Sequence, residues 1–239
     1  MANMLVIKTG TTFASIRSQH GDFEDWFIRE MRRPRLDLRV CSVFEGASLP
    51  EHDELDGVVI TGSPAMVTEA AEWSERTAAW LATAVEQGVP VLGVCYGHQL
   101  LGYALGGLVG KLPQGREIGT RTVTLTEAAA EDPLLHAFPL SFPAHLTHQE
   151  SLLTLPPDAI LLAGSELDPH QIFRVGPHAW GVQFHPEFSA EVMRAYLDEQ
   201  EEKLDEEGWP VRELRGAVTD TATATSLLDR FTQFVMKRA

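Results

Sequence analysis

Short apolar runs alternate with helical patterns through the first half of the chain. Met4–Thr9, Leu38–Phe44, Gly57–Thr61 and Val89–Val94 read as strands. The run at 57–61, GVVIT, is apolar throughout, as expected of a strand covered on both faces. Between them lie amphipathic segments. Phe23, Trp26, Phe27 and Met31 recur at helical spacing behind Asp22, which suits a helix N-cap. Ser74–Glu86 places Trp80, Leu81 and Val85 on one side, and Gly97–Leu105 follows the fourth strand as a helix. Strand–helix alternation predicts an α/β fold: a doubly wound, mostly parallel central sheet with helices on both faces. In such sheets the functional loops gather at the carboxyl ends of the strands.

The second half changes character. Arg121–Thr126, Ser151–Thr154, Ile160–Ala163, Gln171–Val175 and Ala179–Phe184 are short strand-like runs separated by turn residues. They predict an antiparallel or mixed extension of the same sheet. Ser189–Leu204 reads as a helix capped by Ser189, and the charge-rich run Glu199–Glu207 is its solvated end, broken at Gly208–Pro210. Asp220–Arg238 is an amphipathic helix through Leu227, Leu228, Phe231, Phe234 and Val235. No internal repeat and no linker stands out, so one domain over 1–239 is expected, with a C-terminal helical extension at about 189–239.

Charge narrows the partners. Nineteen basic and 34 acidic residues give 19 − 34 = −15. An acidic surface repels phosphate backbones, which argues against a nucleic-acid partner. No apolar run reaches the length a bilayer requires, and the first residues lack a signal-peptide pattern, so a cytoplasmic protein without a membrane partner is expected. The two cysteines, Cys41 and Cys95, are expected to be free thiols. Neither they nor the nine histidines show a metal-ligand spacing, so no metal and no cofactor is expected.

The chemistry concentrates in two segments. Pro90–Gly107 reads PVLGVCYGHQLLGYALGG: a buried strand runs into Gly93-Val94-Cys95-Tyr96-Gly97 and then into a helix. This is the glycine-x-nucleophile-x-glycine elbow, whose turn leaves no room for side chains beside the nucleophile. A cysteine there meets the positive end of a helix, which favours thiolate. Cys41, inside a strand, reads as a small buried hydrophobe. Trp180–Phe188 reads WGVQFHPEF. His185 and Glu187 stand two apart, so extended backbone points both the same way, and Pro186 holds that geometry. The carboxylate can then orient the imidazole while the imidazole faces the thiol. The order nucleophile, histidine, acid disfavours an α/β-hydrolase, in which the acid precedes the histidine.

Four blocks, GVVITGSP at 57–64, PVLGVCYGHQLLGYALGG at 90–107, THQESLLTLPPDA at 147–159 and GVQFHPEF at 181–188, resemble class I glutamine amidotransferases. The resemblance is greatest to the glutaminase part of GMP synthase and its free-standing homologues, and it implies their flavodoxin-like fold. It implies that Cys95 attacks a glutamine carboxamide to form a γ-glutamyl thioester, with His185 as base and Glu187 orienting it. It further implies an oxyanion hole from the backbone N–H of Tyr96 and of Gly62 or Ser63. Gln99, His148, Gln149 and Glu150 are the implied substrate contacts, and His98 is expected to be structural. Ser63, where the family often has Gly, and Gln149-Glu150, where it often has Gly-Asp, depart from the pattern. No SGGxDS-type ATP-pyrophosphatase motif is present. Three functions follow as expectations: a glutaminase passing ammonia to a synthetase subunit in trans, a free-standing γ-glutamyl hydrolase or peptidase, and a non-catalytic regulator.

Overall fold

The computed structural model describes all residues 1–239. Its centre is a nine-stranded sheet. Strands β1 (Ala2–Lys8), β2 (Leu36–Ser42), β3 (Gly57–Ile60), β4 (Val91–Val94) and β11 (Ala179–Val182) lie parallel in the order β2-β1-β3-β4-β11. From β11 the sheet continues antiparallel through β10 (Ile172–Val175), β9 (Ile160–Gly164), β6 (Glu117–Leu125) and β7 (Ser141–His148). Every residue of β3, β4 and β11 is buried, which explains why these strands read as unbroken apolar runs.

Helices cover both faces. On one side α2 (Phe23–Met31) and α8 (Ala222–Arg238) bring Phe27, Met31, Leu227, Leu228, Phe231 and Val235 onto the sheet around Trp180. On the other, α3 (Glu72–Glu86) and α4 (Tyr96–Ala104) supply Ala78, Leu81, Leu100 and Leu101. No helix is long and apolar enough to cross a membrane. Asp22 caps α2 by accepting the Phe23 N–H at 2.9 Å, and Ser189 caps α5 (Ala190–Glu199) through the Val192 N–H at 3.2 Å.

Several elements differ from the sequence expectations. The segment Ser151–Thr154 does not extend the main sheet: β8 (Glu150–Thr154) pairs with β5 (Leu108–Lys111) in a separate two-stranded sheet. Strand β7 carries Pro143, which cannot donate to a ladder; the strand lies at the sheet edge, where that donor is not needed. The expected helix 189–204 breaks at Gln200, and α6 (Glu201–Glu206) continues in a new direction. Short α1 (Ala14–His20) and α7 (Val211–Gly216) have too few turns to leave a periodic signature.

Candidate active site

Strand β4 ends at Val94, and Cys95 follows as the N-cap of α4. Its backbone sits at φ 52°, ψ −105°, a left-handed-side conformation costly for a residue with a Cβ. Neighbouring contacts enforce it. A Cβ at Gly93 would collide with the Gly97 carbonyl oxygen, and one at Gly97 would lie 2.5 Å from the Ile60 carbonyl oxygen. Both glycines are therefore steric requirements of the turn.

The adjacent parallel strand β11 supplies the base. Val182 is in register with Val94, and its carbonyl accepts the Cys95 N–H at 2.9 Å. Two adjacent strands thus release Cys95 and His185 at one edge. The His185 N–H donates to the His145 carbonyl at 2.8 Å, which ties the base to β7. His185 Nδ1 donates to Glu187 Oε1 at 2.7 Å, leaving Nε2 as the other ring position. All three residues are nearly closed to solvent, with Cys95 6%, His185 2% and Glu187 2% exposed. Burial works against the imidazolium, but the Glu187 carboxylate and the hydrogen-bonded Cys95 sulfur outweigh it and raise the ring to about 10. The arrangement favours a thiolate–imidazolium pair. Phe188 stacks on the ring at 4.0 Å between centroids and fixes its plane.

The turn after β3 faces this pair. A Cβ at Gly62 would lie 3.0 Å from His185 Cε1, so only glycine lets the turn approach so closely. The Ser63 hydroxyl points elsewhere: it donates to the Thr9 carbonyl at 2.8 Å and accepts the Ala65 N–H at 3.1 Å. The hydroxyl braces the turn and leaves its backbone donors for the cavity. Tyr96 opens α4, where its N–H has no intrahelical acceptor. Its phenol is turned away onto Ser74 at 2.6 Å, and burial pushes it up to about 12. Tyr96 therefore offers its backbone, not its ring oxygen.

These groups line a cavity of about 350 Å³ shared with Gln99, His148, Gln149 and Glu150. The volume falls in the ~300–1,000 Å³ range usual for small-molecule sites. Gln99 is largely committed to the protein: Nε2 donates to the Glu150 carbonyl at 2.7 Å and to Gln183 Oε1 at 3.1 Å. His148 Nδ1 reaches the same carbonyl at 2.9 Å, and its Nε2 faces Glu117 Oε2 at 3.1 Å. The Glu150 side chain binds the Thr68 hydroxyl and N–H, latching the β3 loop to the start of β8. Glu150 is 2% exposed and makes no ion pair.

Behind the cavity floor, Glu117, His148 and Asp168 place potential ligand atoms within 4.8 Å of one another. Their oxygens already receive hydrogen bonds from Ser165 and Gln171 at Glu117 and from Ser151 and the His170 N–H at Asp168. A cation would have to displace these donors, so the cluster fits a hydrogen-bond network and not a metal site. His98 stands apart from the chemistry: it is fully buried against Phe173, and burial lowers it to about 4. His145, below the base, is likewise lowered to about 4 by burial and by the charge of His185, and stays neutral.

Sequence reasoning missed the opposite wall. Arg116, Tyr196, Gln200 and Phe13 also line the cavity. They come from the start of β6, from α5, from its break and from the loop before α1, and no local pattern joins them.

The glutamine amidotransferase class-I family pattern matches residues 20–201. Gamma-glutamyl peptidase 3 of Arabidopsis thaliana is 28% identical over 77% of this chain and 76% of its own length. GMP synthase of Thermomicrobium roseum is 36% identical over 57% of this chain, but the match spans only 24% of that protein. The crystal structure of a glutamine amidotransferase from Thermotoga maritima superposes with a TM-score of 0.78, at 21% identity over 99% of this chain and 98% of that one, a likeness of fold. With the family pattern covering most of its length and the elbow, turn and histidine strand in their expected places, this chain belongs to the class I glutamine amidotransferases.

Proposed function

We propose that this protein hydrolyses the γ-amide bond of glutamine or of a γ-glutamyl compound through a cysteine thioester. The observation that carries the reading is the convergence of Cys95, on its strained turn, with a His185 already oriented by Glu187. The Cys95 sulfur attacks the γ-carbon, and the carbonyl oxygen takes the negative charge. The Tyr96 N–H and a backbone N–H of Gly62 or Ser63 receive that oxyanion. As the C–N bond breaks, imidazolium His185 gives its Nε2 proton to the leaving nitrogen. The same nitrogen then takes a proton from water, which attacks the thioester and releases glutamate. Glu187 fixes the tautomer throughout. At the far end of the cavity Glu150, a buried carboxylate without a cationic partner, suits the α-ammonium group of the substrate.

A second reading, in which ammonia from glutamine passes to a synthetase subunit in trans, draws on the similarity to GMP synthase. A diazo-ketone analogue of glutamine tests the common core. Mass spectrometry is expected to find one adduct on Cys95, lost in Cys95→Ala. A folded protein that takes no label would overturn the catalytic reading in favour of a regulator. Turnover of glutamine that rises when a candidate synthetase chain is added separates the second reading from a free-standing hydrolase.

A further inference from the structure

The wall beside the catalytic histidine has a continuous construction. Phe188, stacked on His185 at 4.0 Å, meets the Tyr196 ring at 4.8 Å. One turn on, Gln200 Nε2 donates to the Tyr196 carbonyl at 3.1 Å, and Gln200 Oε1 accepts from Arg116 Nη1 at 2.6 Å. His185 must protonate the departing nitrogen, so a leaving group larger than ammonia lies along this wall, toward Arg116. Arg116 is the one lysine or arginine among the residues lining the cavity, in a chain of net charge −15.

That cation is buried and incompletely matched. Arg116 is 6% exposed. Its Nη2 donates to Glu207 Oε1 at a long 3.3 Å, and its Nε lies 3.0 Å from Glu207 Oε2 without an aligned hydrogen bond. Glu207 sits just past the end of α6 with a third of its side chain in solvent. A half-exposed surface carboxylate holding a buried guanidinium in poor geometry is a partner that another carboxylate can replace. At the opposite end stands the unpaired Glu150 carboxylate. Negative at the glutamyl end and positive at the leaving-group end, the cavity matches a γ-glutamyl peptide: α-ammonium at Glu150, peptide carboxylate at Arg116.

Resting on the γ-glutamyl hydrolase reading above, we propose that Arg116 is a specificity residue that binds a carboxylate on the leaving group, so that γ-glutamyl amino acids or peptides, and not γ-glutamyl amines, are the preferred substrates. The bond broken is the same γ-amide; the product is an amino acid or peptide with a free amine in place of ammonia.

The test compares γ-glutamyl-alanine with γ-glutamyl-alaninamide, which differ only in the carboxylate. Charge-assisted hydrogen bonds of this kind give a preference for the acid of roughly 10- to 100-fold in kcat/KM. Arg116→Gln is expected to bring that ratio to about 1, and Arg116→Lys to keep part of it, since a point charge retains attraction without the fork. Glu207→Gln removes the competitor and is expected to tighten the acid several-fold. Binding of both compounds to Cys95→Ala, with and without Arg116→Gln, reads the same ratio without turnover and shows whether each variant folds. A wild-type ratio near 1, or a ratio unchanged by Arg116→Gln, overturns the proposal. Should Cys95 resist the diazo-ketone while the acid still binds in an Arg116-dependent way, the amidase reading fails and the carboxylate site stands.

Discussion

Replacing Glu187 by Gln tests how the catalytic imidazole is charged. Burial disfavours imidazolium at His185, yet the ring rises from 6.5 to about 10, first through the Glu187 charge, then through Cys95 and the two hydrogen bonds. The difference, 10 − 6.5 = 3.5, corresponds to about 5 kcal/mol at ~1.4 kcal/mol per pH unit. Glu187 makes the largest favourable contribution, so an isosteric amide removes on the order of 2 kcal/mol and lowers the ring's titration midpoint by at least about 1.5 pH units. The amide can also present its NH2 to Nδ1 and invert the tautomer, leaving a proton on Nε2 where the thiol proton must go. In serine proteases the equivalent amide swap lowers kcat about 10⁴-fold. A thiol that already shares its proton with the ring depends less on the base, so a loss of roughly 10²- to 10⁴-fold is expected here. NMR titration of the His185 ring from pH 5 to 11, beside turnover of the best γ-glutamyl substrate, checks both. Stability gives an independent sign. The folded value is raised, so the ring's contribution is full below about pH 6.5 and lost as pH climbs through 10. The wild type's advantage over Glu187→Gln in urea unfolding is thus greatest near pH 6 and shrinks toward pH 10. A ring that titrates at the same pH in both proteins, or a kcat within tenfold, refutes the reasoning.

Other contacts make separate predictions. Gln99→Leu withdraws the donor to the Glu150 carbonyl and orphans Gln183 Oε1; a loss of about 2 kcal/mol in stability and a KM rise of about tenfold are expected in melting and kinetic measurements. Gly97→Ala drives a methyl to 2.5 Å from the Ile60 carbonyl oxygen, and either backbone can yield only by moving the turn at Gly62. Loss of about 2–3 kcal/mol together with most of the activity is expected; an active, equally stable variant would contradict the steric account of the elbow. Asp132→Ala strips a fully buried carboxylate from Trp180 Nε1 at 3.1 Å, from Arg174 at 3.4 Å and from the Leu134 N–H at 2.9 Å. With a buried charge left unpaired, urea unfolding is expected to show a loss of about 3–5 kcal/mol while the labelling of Cys95 persists in the folded fraction.

What could be read from the chain divides by the range of the interactions. The elbow is visible because its demands are local: Gly93 and Gly97 are required by atoms within a few residues or on the next strand, and the buried strand before Cys95 announces itself by composition. The spacing of His185 and Glu187 is likewise set by one stretch of extended backbone. Caps such as Asp22 and Ser189 belong to the same class. Strand β7 is different. Pro143 argues against a strand unless one knows that it lies at an edge, and its place at the edge is decided by β6, some 20 residues away in the register pairing Thr122 with Pro143. The break at Gln200 has no proline or glycine to signal it, and it matters because it turns Gln200 toward Thr147 and Arg116. The one available hint at the missed wall was Arg116-Glu117, adjacent opposite charges at the start of a strand, both of which the fold buries. The nucleophile's half of the cavity is therefore assembled by sequence-local geometry, and the half facing the leaving group by contacts between distant segments. Chains with the same elbow and the same histidine strand can then carry out one reaction on different γ-glutamyl substrates, since what they release is judged by a wall that the motif does not encode.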